Sequence, residues 1–196
     1  MDFLNKKQDR KFDKFTVVYV GTIHEIRGLR KAVEAIQLVK YPDIELHIIG
    51  ESRYPHLTEL FNSSPRVTYR GRIPWENLSS ELGLYHVGLA LFQPVPAFTY
   101  YPGENVVKLF EYAGLGIPFI ISNFEGLSKF VKTYGGGLTA DPTNPAEIAR
   151  TIEKLYEDQV LYNRLSQEGQ ELVRKEFHWE AQKQKLINVY KKLLRH

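Results

Sequence analysis

Five short runs of apolar, largely β-branched residues alternate along the chain with segments whose apolar positions recur every three to four residues. Such alternation predicts an α/β fold in which a parallel sheet is doubly wound with helices. Thr16 to Val20 is a nearly continuous apolar run ending at Gly21, and Leu29, Ala32, Val33 and Ile36 then fall on one face of a helix. Ile44 to Ile49 closes on Gly50, a helix follows over Tyr54 to Asn62, and a short strand at Val67 to Tyr69 has Gly71 just beyond it. Next come a helix at Trp75 to Leu82, a fourth strand at Gly88 to Phe92 and a long irregular loop, rich in Pro and aromatics, from Gln93 to Gly103. A helix from Asn105 to Ala113, a strand at Phe119 to Ser122, a short helix at Leu127 to Thr133 and a Gly135-Gly136-Gly137 turn complete this part. The remainder reads as helical: Pro145 to Leu155, Gln159 to Lys175, and Trp179 to Leu194 with Leu186, Ile187, Tyr190, Leu193 and Leu194 on one face.

Gly21, Gly50 and Gly71 end the first three strands, so all three fall at one edge of the sheet. Glycine there permits a sharp turn, and it also permits a ligand to approach the backbone; open α/β sheets bind ligands at this edge. Loops as long as Gln93 to Gly103 are uncommon unless functional or disordered, which makes this one a candidate wall of the site.

A length of 196 residues suits one substantial domain, and 43% hydrophobic with 25% charged residues is a globular composition. The 26 Lys and Arg against 23 Asp and Glu leave +3, too weak a bias for a dedicated nucleic-acid binder. Without cysteine there is no disulfide, thiolate metal site or cysteine nucleophile. The longest apolar stretches, Phe15 to Val20 and Val87 to Phe92, fall far short of the ~20 residues that span a bilayer. Met1 to Lys14 is charged throughout and reads as a leader or linker rather than a secretory signal, with the domain at Phe15 to His196. These features predict a cytoplasmic protein.

The strongest candidate chemistry is Tyr101-Pro102-Gly103-Glu104-Asn105, which enters the helix carrying Val106, Leu109, Phe110 and Ala113. A helix N-terminus offers unpaired N–H groups and the positive end of its dipole, so an anion such as phosphate fits there once Gly103 lets it come close. Glu104, Lys108 and Glu111 follow at i, i+4 and i+7, either as a solvated ion-paired face or as acids for sugar or ribose hydroxyls. The loop Gly21 to Gly28 offers Arg27 and backbone amides to a phosphate, and His24 lies in it. It has neither the G-x-G-x-x-G of dinucleotide sites nor the Gly-Lys-Ser/Thr ending of a P-loop, and no G-x-S-x-G elbow occurs. The six histidines show no metal-ligand spacing, and His47, between Leu46 and Ile48, reads as structural. Lys6, Lys7, Lys11, Lys183, Lys185, Lys191, Lys192 and Arg195 form solvated faces or approach an anionic membrane surface.

Four stretches resemble the nucleotide-sugar-binding, C-terminal domain of the family 4 (group 1) retaining glycosyltransferases of GT-B fold. They are Tyr19-Val20-Gly21 with Arg27-Gly28-Leu29; Ile44 to Ile49 closing on Gly50; Val67 to Tyr69 with Gly71-Arg72-Ile73-Pro74; and Lys108-Leu109-Phe110-Glu111-Tyr112-Ala113 with Gly116-Ile117-Pro118. Phe177-His178-Trp179 fits the family's ending more loosely. The resemblance implies a Rossmann-like half of a GT-B enzyme that takes a sugar from a nucleotide diphosphate donor, with retention and without an obligatory metal or cofactor. Glu111 matches the second acid of the E-x7-E motif, for the donor's ribose hydroxyls, and Arg27 the basic position that meets the diphosphate. On this reading Arg27, Glu104 and Glu111 are the catalytic set, and Gly21, Thr22, Gly71, Ile73, Gly103, Asn105, Val106 and Lys108 line the donor site, with the backbone of Gly71 to Pro74 near the base. Two positions depart from the pattern: Gly103 stands where the first acid is expected, with Glu104 one place late, and Thr22 stands where many members have Arg.

The resemblance also implies a partner domain on the N-terminal side that binds the acceptor, peripheral membrane association of the full enzyme, and service in surface polysaccharide or glycolipid assembly. The isolated domain would bind its donor but hardly turn over. A nucleotide-sugar epimerase of the same architecture and a non-catalytic module that docks through its last helix are the alternatives.

Overall fold

The computed structural model describes residues 11–177 and 179–194. Six parallel strands form one sheet in the order β3-β2-β1-β4-β5-β6: β1 (Thr16–Val20), β2 (Glu45–Ile49), β3 (Val67–Gly71), β4 (Val87–Ala90), β5 (Phe119–Ser122) and β6 (Gly137–Ala140). The helices are α1 (Leu29–Leu38), α2 (Pro55–Ser63), α3 (Trp75–Leu82), α4 (Pro96–Thr99), α5 (Val107–Gly114), α6 (Glu125–Tyr134), α7 (Pro145–Glu157), α8 (Gln159–Lys175) and α9 (Trp179–Leu193).

Strand β1 is buried on both faces, so successive side chains serve opposite layers. Val17 and Tyr19 join the layer of α1, α2 and α7, together with Leu161, Tyr162 and Leu165 of α8. Val18 and Val20 join the layer of α3, α5 and α6, which also holds Phe98 of α4 and Leu172 of α8. The expected doubly wound parallel sheet is therefore present.

Three expectations need correction. The Gly135 to Gly137 turn leads into a sixth strand instead of ending regular structure, because Gly137 pairs with Phe119 and a side chain there would meet the Phe119 ring within 2.4 Å. The helix expected at Asn105 begins at Val107. Gly103–Asn105 is a separate 3₁₀ turn, and Val106 links the two with a non-helical backbone (φ −93°, ψ 82°). Part of the long loop is also regular, since Pro96 opens α4 and presses Phe98 into the core.

Phe12 precedes the expected start of the domain, yet its ring meets His47 and Tyr85 edge-on at 5.4 and 5.0 Å, and its amide donates to Leu84 O. His47 is structural as expected: it is buried, and Nδ1 lies 3.2 Å from the Tyr85 hydroxyl. At the far end, Phe177 stacks on Phe110 at 4.6 Å. Beyond it Leu186, Val189, Tyr190 and Leu193 of α9 are all more than half exposed, so the apolar face predicted for this helix has no core to cover among the described residues. His178, Lys6, Lys7, Arg195 and His196 lie outside the described residues, as do the side chains of Trp179, Lys185 and Lys192. No described helix is long and apolar enough to cross a membrane.

Candidate functional site

The β1–β4 ladder runs only through Val17↔Val87 and Val18↔Gly88, whereas β1 continues beside β2 as far as Val20↔Ile49. Strands β1 and β4, whose following helices cover opposite faces, thus part before their carboxyl ends. In open α/β sheets such a parting is where ligands bind. Tyr112 reaches it from α5, and its hydroxyl accepts the Val20 amide at 3.1 Å.

A cavity of about 240 Å³ opens directly above. Tyr19, Gly21, Thr22 and Arg27 line it from the β1 side, Phe92 and Tyr101 from the long loop, and Asn105, Val106, Val107 and Lys108 from the entry to α5. A larger hollow of about 670 Å³ runs along α2 between Ser52 and Ser63, but its walls are mostly exposed surface.

Arg27 ends a 3₁₀ turn at Glu25–Arg27. Gly28 follows with φ 70°, and a side chain on it would start 2.0 Å from Leu91 O. No other residue allows the turn to lie so close to the end of β4. The Gln93 amide fastens it by donating to Ile26 O at 2.9 Å. Arg27 therefore projects over aromatic rings, its guanidinium carbon 5.2 Å from the centre of Phe92 and 5.0 Å from that of Phe98. The rings hold its plane and leave its donors for an anion. His24 caps the same turn, its Nδ1 accepting the Ile26 amide at 3.3 Å while its ring meets Tyr54, so its role in this loop is structural.

Lys108 lies opposite. Its ammonium is 3.8 Å from the centre of the Tyr19 ring, and a side chain on Gly21 would begin 3.1 Å from Nζ. Burial lowers its pKa to about 7, the nearby Arg27 charge pushes the same way, and Glu111 opposes. Glu111 is half-buried one turn further along α5; burial raises its pKa while Lys108 lowers it.

The structure thus brings together Gly21, Thr22, Arg27, Asn105, Val106 and Lys108. The expected surface of Glu104, Lys108 and Glu111 does not form, because Glu104 belongs to the exposed 3₁₀ turn before the helix and Lys108 is drawn in over Tyr19. Gly103 also has a different reason from the one expected: a side chain there would start 2.3 Å from the Phe130 ring, so its smallness seats α6 rather than admitting an anion. Gly71 ends β3 at the same edge, in open space with φ 65°, and Ile73 beyond it packs on the second layer; neither lines the cavity. Sequence reasoning missed Tyr19, Phe92, Phe98 and Tyr112. The first two looked like ordinary core positions in apolar runs, and only their places at strand ends set them apart.

Comparison with known proteins agrees with this architecture. The lipopolysaccharide core biosynthesis glycosyltransferase LpsE of Rhizobium meliloti (strain 1021) is 24% identical over 175 residues, which is 89% of this chain and 49% of the relative. The chain thus spans about half the length of the curated relative it matches. Anabaena Alr3699/HepE, solved in complex with UDP and glucose, superposes with a TM-score of 0.77 at 14% identity over 91% of this chain and 48% of that one. The C-terminal domain of the group 1 family protein LpcC from Francisella tularensis superposes at 0.69 with 18% identity, over 84% of this chain and 87% of that one. The sequence profile of the glycosyl transferases group 1 matches residues 1–172. On that match, which covers most of its length, the chain belongs to the glycosyl transferases group 1 family.

Proposed function

We propose that this chain is the donor-binding part of a retaining glycosyltransferase, which transfers a sugar from a nucleotide diphosphate sugar to an acceptor in surface polysaccharide or glycolipid synthesis. The observation that carries the reading is the cavity at the β1–β4 parting, where Arg27 and the start of α5 face each other across a space of diphosphate size. The relatives lend support: one acts in lipopolysaccharide core synthesis, and another was solved with UDP and glucose.

In the reaction the bond from the sugar's anomeric carbon to the diphosphate oxygen breaks, and its electron pair leaves with the phosphate. Arg27 and the backbone amides of Val107 and Lys108 in the first turn of α5 meet the negative charge as it develops. The acceptor oxygen bonds to the anomeric carbon from the same face and gives its proton to the departing diphosphate. No metal or cofactor is required by this scheme. Glu111 holds the ribose hydroxyls, Gly71 to Pro74 contact the base, and Glu104 stands at the sugar end. An N-terminal domain supplies the acceptor site, and the exposed apolar face of α9 is available to it. The whole enzyme works in the cytoplasm, peripheral to the membrane that carries its acceptor, and the isolated chain binds donor without appreciable turnover.

Thermal unfolding with UDP, GDP, ADP, CMP and their sugar conjugates tests the reading. A ligand at 100 times its Kd stabilises by about 2.7 kcal/mol, or roughly 5–10 °C for a domain of this size. A shift selective for one base supports the donor site; no shift with any removes it.

A further inference from the structure

The entry to α5 carries two side chains with no part in holding the diphosphate. Asn105 ends the 3₁₀ turn and Val107 opens the helix, and both line the cavity. Val107 is 67% exposed, an apolar side chain left in water at the wall of a site. The side-chain amide of Asn105 is exposed too, and among the described residues nothing bonds to it. Tyr101 lines the same wall, its hydroxyl 3.4 Å from Asn105 O.

No acid stands with them: among the described residues none that lines the cavity carries a carboxylate. Gly103 leaves no room for one, since a side chain there would start 2.3 Å from the Phe130 ring, and Glu104 is exposed in the turn. An ionised carboxylate is the strong acceptor for a sugar hydroxyl, because its hydrogen bonds are charge-assisted. A neutral amide beside apolar side chains suits a different group, one with a donor, an acceptor and a methyl. Asn supplies both an N–H and a carbonyl in one plane, and Val107 and the Tyr101 ring gain by covering a methyl.

We propose that the donor carries a 2-acetamido sugar, an N-acetylhexosamine, whose acetamido N–H and carbonyl pair with the Asn105 amide while its methyl rests on Val107 and Tyr101. The proposal rests on the donor-site reading above and names the class of sugar that this site takes.

The chemistry of the donor sets where this group falls. Carbon 2 of the sugar is bonded to the anomeric carbon, and the anomeric carbon carries the diphosphate. With the diphosphate on Arg27 and on the amides of Val107 and Lys108, the substituent on carbon 2 stays beside those amides, and so beside Asn105 and the Val107 side chain. The substituent on carbon 6 lies beyond the ring oxygen, further from these residues. A hydroxyl on carbon 2 would leave Val107 uncovered and would reach only one end of the Asn105 amide.

Isothermal calorimetry of the 196-residue chain tests this with two pairs of ligands, UDP-N-acetylglucosamine against UDP-glucose and UDP-N-acetylgalactosamine against UDP-galactose, and with GDP-mannose and ADP-glucose alongside. Within each pair the two ligands differ only at carbon 2. One methyl covered and one hydrogen bond gained make the acetamido sugar nucleotide of at least one pair bind about ten- to fiftyfold tighter than its hydroxyl counterpart. Asn105 and Val107 are both exposed, so Asn105→Ala and Val107→Ser leave the core as it is. Each should cut the preference to about fivefold or below, since each removes one of the two contacts. Equal affinities within both pairs, tighter binding of the hydroxyl sugars, or a preference that survives both substitutions overturns the acetamido assignment while leaving the donor site intact. Binding of GDP-mannose or ADP-glucose by a chain that binds neither acetamido ligand does the same. An absence of binding by all six sugar nucleotides overturns the donor-site reading and this inference with it.

Discussion

The Tyr112 hydroxyl accepts the Val20 amide at 3.1 Å and lies 3.5 and 3.4 Å from the carbonyl oxygens of Val18 and Leu89, bridging β1 and β4 just past the end of their own ladder. Gly88 makes the bridge possible, since a side chain there would begin 2.3 Å from the Tyr112 ring. The floor of the candidate site is thus one side chain from α5 doing what strand pairing does elsewhere.

Tyr112→Phe should therefore destabilise the domain by about 1–3 kcal/mol, because the Val20 amide is buried and loses its acceptor. Chemical denaturation measures this, and a loss under about 0.5 kcal/mol would mean that another group serves that amide. Gly88→Ala should cost at least as much, since ring and backbone must both move.

The Arg27 guanidinium lies over the Phe98 ring as well as that of Phe92. Phe98→Leu should keep the core filled but remove one ring face, weakening binding of inorganic pyrophosphate roughly three- to tenfold, in line with a cation–π contact of about 0.5–1 kcal/mol or somewhat more. Phe98→Tyr should retain wild-type affinity. If Leu binds as well as Tyr, the ring does not orient the guanidinium.

The stability of the unliganded chain should carry the signature of Lys108. The unfolded chain keeps this ammonium up to about 10.5, whereas the folded chain releases it near 7, so the unfolded state binds more protons between these values and the residue's contribution to stability rises with pH across that window. Lys108→Met should raise Tm at pH 7, by an amount that shrinks toward pH 10. A gain independent of pH would point to packing alone.

Glu111→Ala should weaken binding of a ribonucleotide more than binding of pyrophosphate, as expected of a carboxylate that accepts from ribose hydroxyls. Competition measurements with the two ligands decide it, and equal losses would take Glu111 out of that role.

Most of the fold was legible because burial on both faces of a parallel sheet leaves continuous apolar runs, and helices packed on it repeat every 3.6 residues. Thr16 to Val20, Ile44 to Ile49 and the α1 stripe of Leu29, Ala32, Val33 and Ile36 lie where the pattern put them. Strand β6 was illegible. Gly137 and Ala140 have little intrinsic preference for extended structure, and the pairing that makes them a strand comes from β5. The start of α5 was misplaced for a related reason: nothing local in Gly103 to Val106 shows that Phe130 occupies the space beside Gly103.

By itself the sequence determined the class of fold and pointed to the sheet edge where Arg27 and Lys108 line a cavity, because each follows from short-range periodicity or from a motif in consecutive residues. Only the tertiary structure decided what those side chains face. That Lys108 leaves the surface of its helix for Tyr19, that Phe92 and Phe98 clasp Arg27, and that Tyr112 closes the parting of β1 and β4 all depend on residues about 65 to 94 positions apart. Contacts at that distance are set by how the layers pack, and no local preference encodes them.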